Sequence, residues 1–179
     1  MKKKKVIICI LLAPALTWAC GNKPALQPHT ESVEIQDTTV TEKQTYLIPE
    51  GTIYDKQDSI TIEKLLAEAQ TLKTEENRML FFGKQFIGIP YVAHTLEKGV
   101  DEVLVVNTRE LDCTTFIETC TALTLADQKD IRSFAGYCQI LRQLRYRQGI
   151  IDEYPSRLHY FSQWIADNEI HGVCGRNHP

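Results

Sequence analysis

At 179 residues the chain can hold one ordinary domain with extensions, and its charged and apolar content is that of a globular protein. The formal charge of -3 hides an asymmetry: Lys2, Lys3, Lys4 and Lys5 crowd the N-terminus, no acid precedes Glu31, and the remainder holds 16 basic against 23 acidic residues. Such a body has no general electrostatic attraction to nucleic acid, and no basic stripe interleaved with aromatics suggests a specific one.

The first nineteen residues read as an export signal. Four lysines form the basic region, and Val6 to Ala15 is an apolar stretch too short to span a bilayer. Ala19 before Cys20 fits a lipoprotein signal, in which Cys20 becomes the acylated new N-terminus. Thr17 and Trp18 depart from the usual residues ahead of that cysteine. Residues 20–60 are expected to be the lipidated N-terminus and a flexible tether: between 21 and 60 there are three prolines, two tyrosines as the only aromatics, and 7 acids against 3 lysines. Export places the protein in the cell envelope, on the periplasmic side and held to the membrane by its lipid.

Regular structure is expected from about Ser59. Leu65, Leu66, Ala69 and Leu72 predict a helix over 61–72. Thr74 followed by Glu75 and Glu76 predicts the start of a second, with Met79, Phe82 and Phe86 as its stripe and Gly88 and Pro90 as its stop. Val103 to Val106 reads as a short strand. Asp112 caps a helix starting at Cys113, with Phe116, Ile117, Cys120 and Leu123 on its buried face. A further helix is expected to open at Asp127 to Asp130 and to bury Ile131, Phe134, Cys138, Leu141 and Leu144. Its outer face would leave Arg142, Arg145 and Arg147 solvated. Tyr154 to Tyr160 is a loop or short strand, and Phe161 to Asn168 a last short helix.

Six cysteines in an exported chain invite a disulfide reading. Cys9 lies in the signal and Cys20 is the lipid site, which leaves Cys113, Cys120, Cys138 and Cys174 without a CxxC pair or a zinc spacing. No metal or cofactor is implied. Cys120 and Cys138, on apolar helix faces, read as buried thiols acting as small hydrophobes. Cys113 differs. The unpaired N–H groups and the dipole of a helix start favour negative charge, and could also stabilise the oxyanion of an acyl-transfer intermediate.

Two segments sharpen that reading. Phe86-Ile87-Gly88-Ile89-Pro90-Tyr91-Val92 followed by Leu111-Asp112-Cys113-Thr114-Thr115-Phe116 resembles the NlpC-type papain-like peptidoglycan hydrolases. With Ser156-Arg157-Leu158-His159-Tyr160-Phe161-Ser162-Gln163-Trp164, the stretch from about Phe81 to Asn168 is similar to the N-acetylmuramoyl-L-alanine amidase-like branch. The resemblance implies an α+β papain-like fold, of which residues 61–172 would be mostly the helical N-terminal half, with little of the antiparallel sheet; 173–179 form an unmatched tail. It implies amide hydrolysis in peptidoglycan fragments (muropeptides), with Cys113 as nucleophile and Tyr91 near the thiol. Arg157 would pair with a stem-peptide carboxylate. Where the superfamily often has a glycine pair, Ala93-His94-Thr95 stands.

A cysteine hydrolase needs a base beside its thiol. The family places its histidine downstream, on a strand reading His-Val-Gly-Ile, and nothing after Ile170 matches it. The resemblance therefore implies a C-terminally truncated member. Of the five histidines, His29 lies in the linker, His171 and His178 in the tail, and His94 close after Tyr91; His159, inside a matched motif, is the best substitute base. Without the sheet, Phe86, Phe116, Ile117 and Trp164 would be poorly covered and the helical part loosely packed. Two functional readings follow: a cell-envelope cysteine amidase, incomplete in this chain, and a non-enzymatic envelope lipoprotein that binds muropeptides. The bond cleaved and the oligomeric state are not legible in the sequence.

Overall fold

A computed structural model describes residues 44–173. The signal, Cys20, His29, Cys174 and His178 lie outside the described residues. Among the described residues five helices follow one another: α1 (Lys56–Ala69), α2 (Arg78–Gln85), α3 (Cys113–Gln128), α4 (Phe134–Arg145) and α5 (Phe161–Ile170), with short 3-10 turns at Arg147–Gly149 and Tyr154–Ser156. Among the described residues no strand forms a ladder. Extended backbone meets in three isolated bridges: Ile53 with Val105 and Tyr91 with Leu111, both parallel, and Tyr146 with Arg157, antiparallel.

Order begins earlier than the composition of the linker predicts. Gln139 donates to the Leu47 carbonyl at 2.5 Å, and the Ile53 backbone bonds to Leu104 and Val106 at 2.9 Å on either side. Tyr46 packs so close to α4 that a Cβ on Gly136 would crowd its ring at 3.1 Å. α1 starts at Lys56 because Asp55 and Asp58 form a reciprocal capping box. Asp58, with no exposed surface, also accepts from the Thr108 N–H and hydroxyl at 2.9 and 2.8 Å and from Arg109 at 3.2 Å. One acid thus ties α1 to the segment leading into Cys113. α2 starts three residues later than expected, at the Asn77 cap, whose side chain accepts the Leu80 N–H at 2.9 Å. Gly88 ends that stretch at φ +89°, a left-handed conformation that suits glycine.

α3 is the central helix and packs against α1, α2 and α4. Its buried residues, among them Thr115, Glu118, Thr119, Cys120, Leu123 and Ala126, go most of the way round the axis, so it shows little amphipathic period. Phe116 is only half-buried and Ile117 is 36 % exposed, against the expectation of a buried face at both. No new helix opens at Asp127. α3 runs through Gln128, Asp127 binds Arg78 and Arg132, and Ser133 caps α4 by accepting the Gly136 N–H.

The arginines of α4 correct a second expectation. Arg145 is 2 % exposed: its Nε donates to Glu118 at 2.8 Å and its Nη1 to the Val105 carbonyl at 2.6 Å. It occupies the seam between α3 and the extended 103–106 segment. Of the four side chains expected to be poorly covered, Phe116 and Ile117 are only partly buried, whereas Phe86 and Trp164 are buried. Phe86 and Trp164 are 6 % and 4 % exposed; Phe86 meets Phe116 edge-on and Phe161 stacks on Trp164.

Candidate active site

Asp112 caps α3 with an extended backbone. Its carboxylate accepts the Thr115 N–H at 2.8 Å, and the Thr115 hydroxyl takes the Asp112 N–H at 2.9 Å. The carboxylate is thereby committed to the helix end. Cys113 follows as the first helical residue, exposed to solvent. The N–H groups of Cys113 and Thr114 belong to the first turn and have no helical carbonyl to bond, so they are free to meet an anion. The other described thiols are of a different kind: burial pushes both Cys120 and Cys138 up to about 12 and keeps them neutral.

Beside this helix start lies an open cleft of about 260 Å³, walled by His94, Thr95 and Glu97, by Asp112, Thr114 and Glu118, and by Arg157 and His159. Three separated segments build it. The first turns at His94, held in the left-handed region at φ +61°, with its Nδ1 3.4 Å from Glu97. The second is the first turn and a half of α3. The third is pinned from behind, because the Leu158 N–H donates to the Arg145 carbonyl at 2.9 Å. Arg145 therefore holds α3 by its side chain and the 157–159 segment by its backbone.

The structure brings Arg157 and His159 to the cleft that flanks Cys113 on both sides in sequence; Cys113 itself and Tyr91 are not among the lining residues. Tyr91 is carried to the helix start by backbone pairing, Val92 N–H to the Leu111 carbonyl and Leu111 N–H to the Pro90 carbonyl, both at 3.2 Å, and its side chain is 71 % exposed. His159 stacks on Tyr154 at 4.0 Å, and its Nε2 lies 2.8 Å from the Tyr154 carbonyl. A carbonyl only accepts, so Nε2 carries the proton and Nδ1 is the nitrogen left to act as a base. Arg157 is 7 % exposed, lies 5.1 Å from the Tyr154 ring centroid and faces Glu102 at 3.6 Å. It thus has a carboxylate of the protein beside it already. Among the described residues Cys113 has no hydrogen-bond partner and no group of His, Cys, Asp and Glu is arranged to hold a metal.

Thr95, Glu97 and Glu118 escaped the sequence reading. Thr95 is 2 % exposed with an unbonded hydroxyl at the cleft wall. Glu118 had one legible signal, its place five residues beyond Cys113 on the same helix, but nothing in the sequence pairs it with Arg145.

An exposed helix-start cysteine thus follows a capping acid that lines a cleft, and His159 and Arg157 line the same cleft. The family model described as AmiA-like, N-acetylmuramoyl-L-alanine amidase-like, matches residues 81–175, more than half of the chain, and the chain belongs to that family. Among solved structures it is similar to an N-acetylmuramoyl-L-alanine amidase from Bacteroides uniformis, at 45 % identity over 53 % of this chain and 39 % of that one, with a TM-score of 0.50. It is also similar to a protein provisionally named a xylanase, from Bacteroides fragilis, at 41 % identity over 51 % of this chain and 40 % of that one, with a TM-score of 0.49. The chain spans about two fifths of the length of these solved proteins. A comparison with the curated proteins finds no match.

Proposed function

We propose that this chain carries the nucleophile-bearing part of an exported, lipid-anchored cysteine amidase of papain-like fold that acts on muropeptides. The observation that carries the reading is the placement of Cys113: exposed, first in α3, between two residues that line the cleft. In the proposed reaction Sγ attacks the amide carbonyl carbon, the N–H groups of the first turn receive the oxyanion, and the C–N bond breaks as the nitrogen takes a proton. Water then hydrolyses the thioester. Tyr91 borders the thiol through its pairing with Leu111, and Arg157 takes a substrate carboxylate. Nδ1 of His159 is the base that the described residues offer. We infer that full activity draws on a base beyond the one that the described residues offer.

The second reading, a lipoprotein that binds muropeptides without cleaving them, is favoured by the unbonded Cys113 thiol. One experiment separates the two. The full chain is incubated with a muropeptide, release of a new amine is followed, and binding is measured in parallel. Turnover that falls at least about a hundredfold in Cys113→Ala supports the amidase. Turnover indifferent to that change sinks it, and tight binding with no turnover in either form selects the binding protein.

A further inference from the structure

We propose that Tyr154 is a positioning residue for the cleft beside Cys113. Its ring and its carbonyl together hold the His159 imidazole in one tautomer and one orientation, so that Nδ1 is kept as an acceptor for an N–H or S–H group in the cleft. The inference rests on the amidase reading for the use to which that acceptor is put, and it names the residue that keeps it in place.

His159 meets Tyr154 twice. The two rings stack with centroids 4.0 Å apart and planes at 29°, and Nε2 lies 2.8 Å from the Tyr154 carbonyl. Each contact removes a different freedom. The carbonyl fixes the proton on Nε2, but a single hydrogen bond leaves the imidazole free to hinge about it. The stacked face stops that hinge. Nδ1 is then left without a partner among the described residues.

The turn that supplies the carbonyl is held without the ring. Tyr154–Ser156 is a 3-10 turn with Pro155 inside it. The Ser156 N–H donates to the Glu153 carbonyl at 2.8 Å, the Arg157 N–H to the Tyr154 carbonyl at 3.3 Å, and the Asp152 N–H to the Ser156 hydroxyl at 3.2 Å. Tyr154 itself is 57 % exposed and lies outside the hydrophobic core. Its other surroundings are open, since Tyr154, Glu102 and Arg157 also line a second cleft, of about 370 Å³. A ring mostly in water adds little to a core. This one lies instead against two residues that line the first cleft: His159, by stacking, and Arg157, whose guanidinium carbon is 5.1 Å from the ring centroid. Its contacts serve the cleft rather than the core.

The test reads the imidazole directly. Nitrogen NMR signals of the His159 ring are recorded, with the imidazole neutral, on the full chain and on its Tyr154→Ala and Tyr154→Phe forms. A locked Nε2–H tautomer gives two widely separated signals, and exchange between tautomers draws them together. Tyr154→Ala keeps the carbonyl and loses the ring; it is expected to draw the signals together with the urea midpoint unchanged. Tyr154→Phe is expected to keep them apart. Hydrolysis that depends on Cys113 should fall about twofold to tenfold in the alanine form, the range over which a stacked aromatic pair shifts an orientation, and recover in the phenylalanine form. Four results each overturn the inference: signals that stay apart in the alanine form, signals that converge in the phenylalanine form, a marked fall in the alanine form's midpoint, or Cys113-dependent hydrolysis that ignores the alanine change. A chain with no hydrolysis at all counts against the amidase reading instead, and the nitrogen signals still decide this one.

Discussion

Arg145 and Arg157 lie on neighbouring segments, joined through the Tyr146–Arg157 bridge and the Leu158-to-Arg145 backbone bond, and both guanidiniums are buried. Their surroundings differ. Arg145 has its charge met by Glu118 and a second donor met by the Val105 carbonyl; burial works against its charge, but the Glu118 carboxylate holds it above the ordinary arginine value. Arg157 has an aromatic face beneath it, a carboxylate slightly too far away, and two open clefts in front. A satisfied buried charge fixes a frame. Arg157 carries a buried Nε with no hydrogen bond and is the less firmly held of the two.

The comparison predicts its largest effect at the frame. Glu118→Ala leaves Arg145 charged and alone at 2 % exposure and should cost about 3–5 kcal/mol, read as a fall in the urea midpoint. Replacing both partners with apolar residues, Glu118→Leu with Arg145→Met, should recover much of that loss, since the cost lies in the uncompensated charge. A single change that costs under about 1 kcal/mol would mean that the pair does not hold the frame.

Next in size is the acid that fastens α1 to the approach of Cys113. Burial raises the Asp58 carboxyl, but the hydrogen bonds from Arg109, Thr108 and the Asp55 N–H outweigh it and hold it below 3.8. The folded value is the depressed one, so the contribution is fully present above the unfolded value near 3.8 and is lost as pH falls through the folded one. Asp58→Asn should cost about 1–3 kcal/mol at neutral pH and should flatten the loss of stability below pH ~4. An unchanged acid limb in that variant would show that other carboxylates carry it.

The frame was only half legible in the sequence. The Asp112 cap and the helix from Cys113 follow from local chemistry, a short acid before a helical run, and local chemistry survives folding. The start of α1 was misplaced although its signal was present: Asp55 and Asp58 form a capping box of two aspartates, which looks like ordinary linker acidity. Arg145 was misread because three arginines late in a helix usually face water and the helix dipole. Its burial depends on Glu118, 27 positions away in a different helix. Of the cleft's lining, Arg157 and His159 were named from the sequence; Cys113 and Tyr91 do not line it, and Thr95, Glu97 and Glu118 were missed, because its three walls are contiguous only after α3 docks and Arg145 pins the 157–159 segment. The signal, the lipid site and the papain-like arrangement remain sequence expectations.

The smallest effect on stability is expected at Arg157, and it tests the comparison most directly. Arg157→Met removes a charge that makes no close hydrogen bond. The Glu102 left behind keeps the Tyr146 hydroxyl at 2.9 Å and lines a cleft open to water, so it is not stranded as Arg145 would be without Glu118. The cost should be about 1 kcal/mol or less, and the methionine stem should retain the packing on Tyr154. Muropeptide affinity should fall by much more than that cost in stability would lead one to expect. If Arg157→Met costs as much in the urea midpoint as Arg145→Met, the two arginines are equivalent struts and the contrast between frame and site is broken. If it costs little and binding collapses, Arg157 belongs to the site, and its missing hydrogen bonds are the place kept for the ligand.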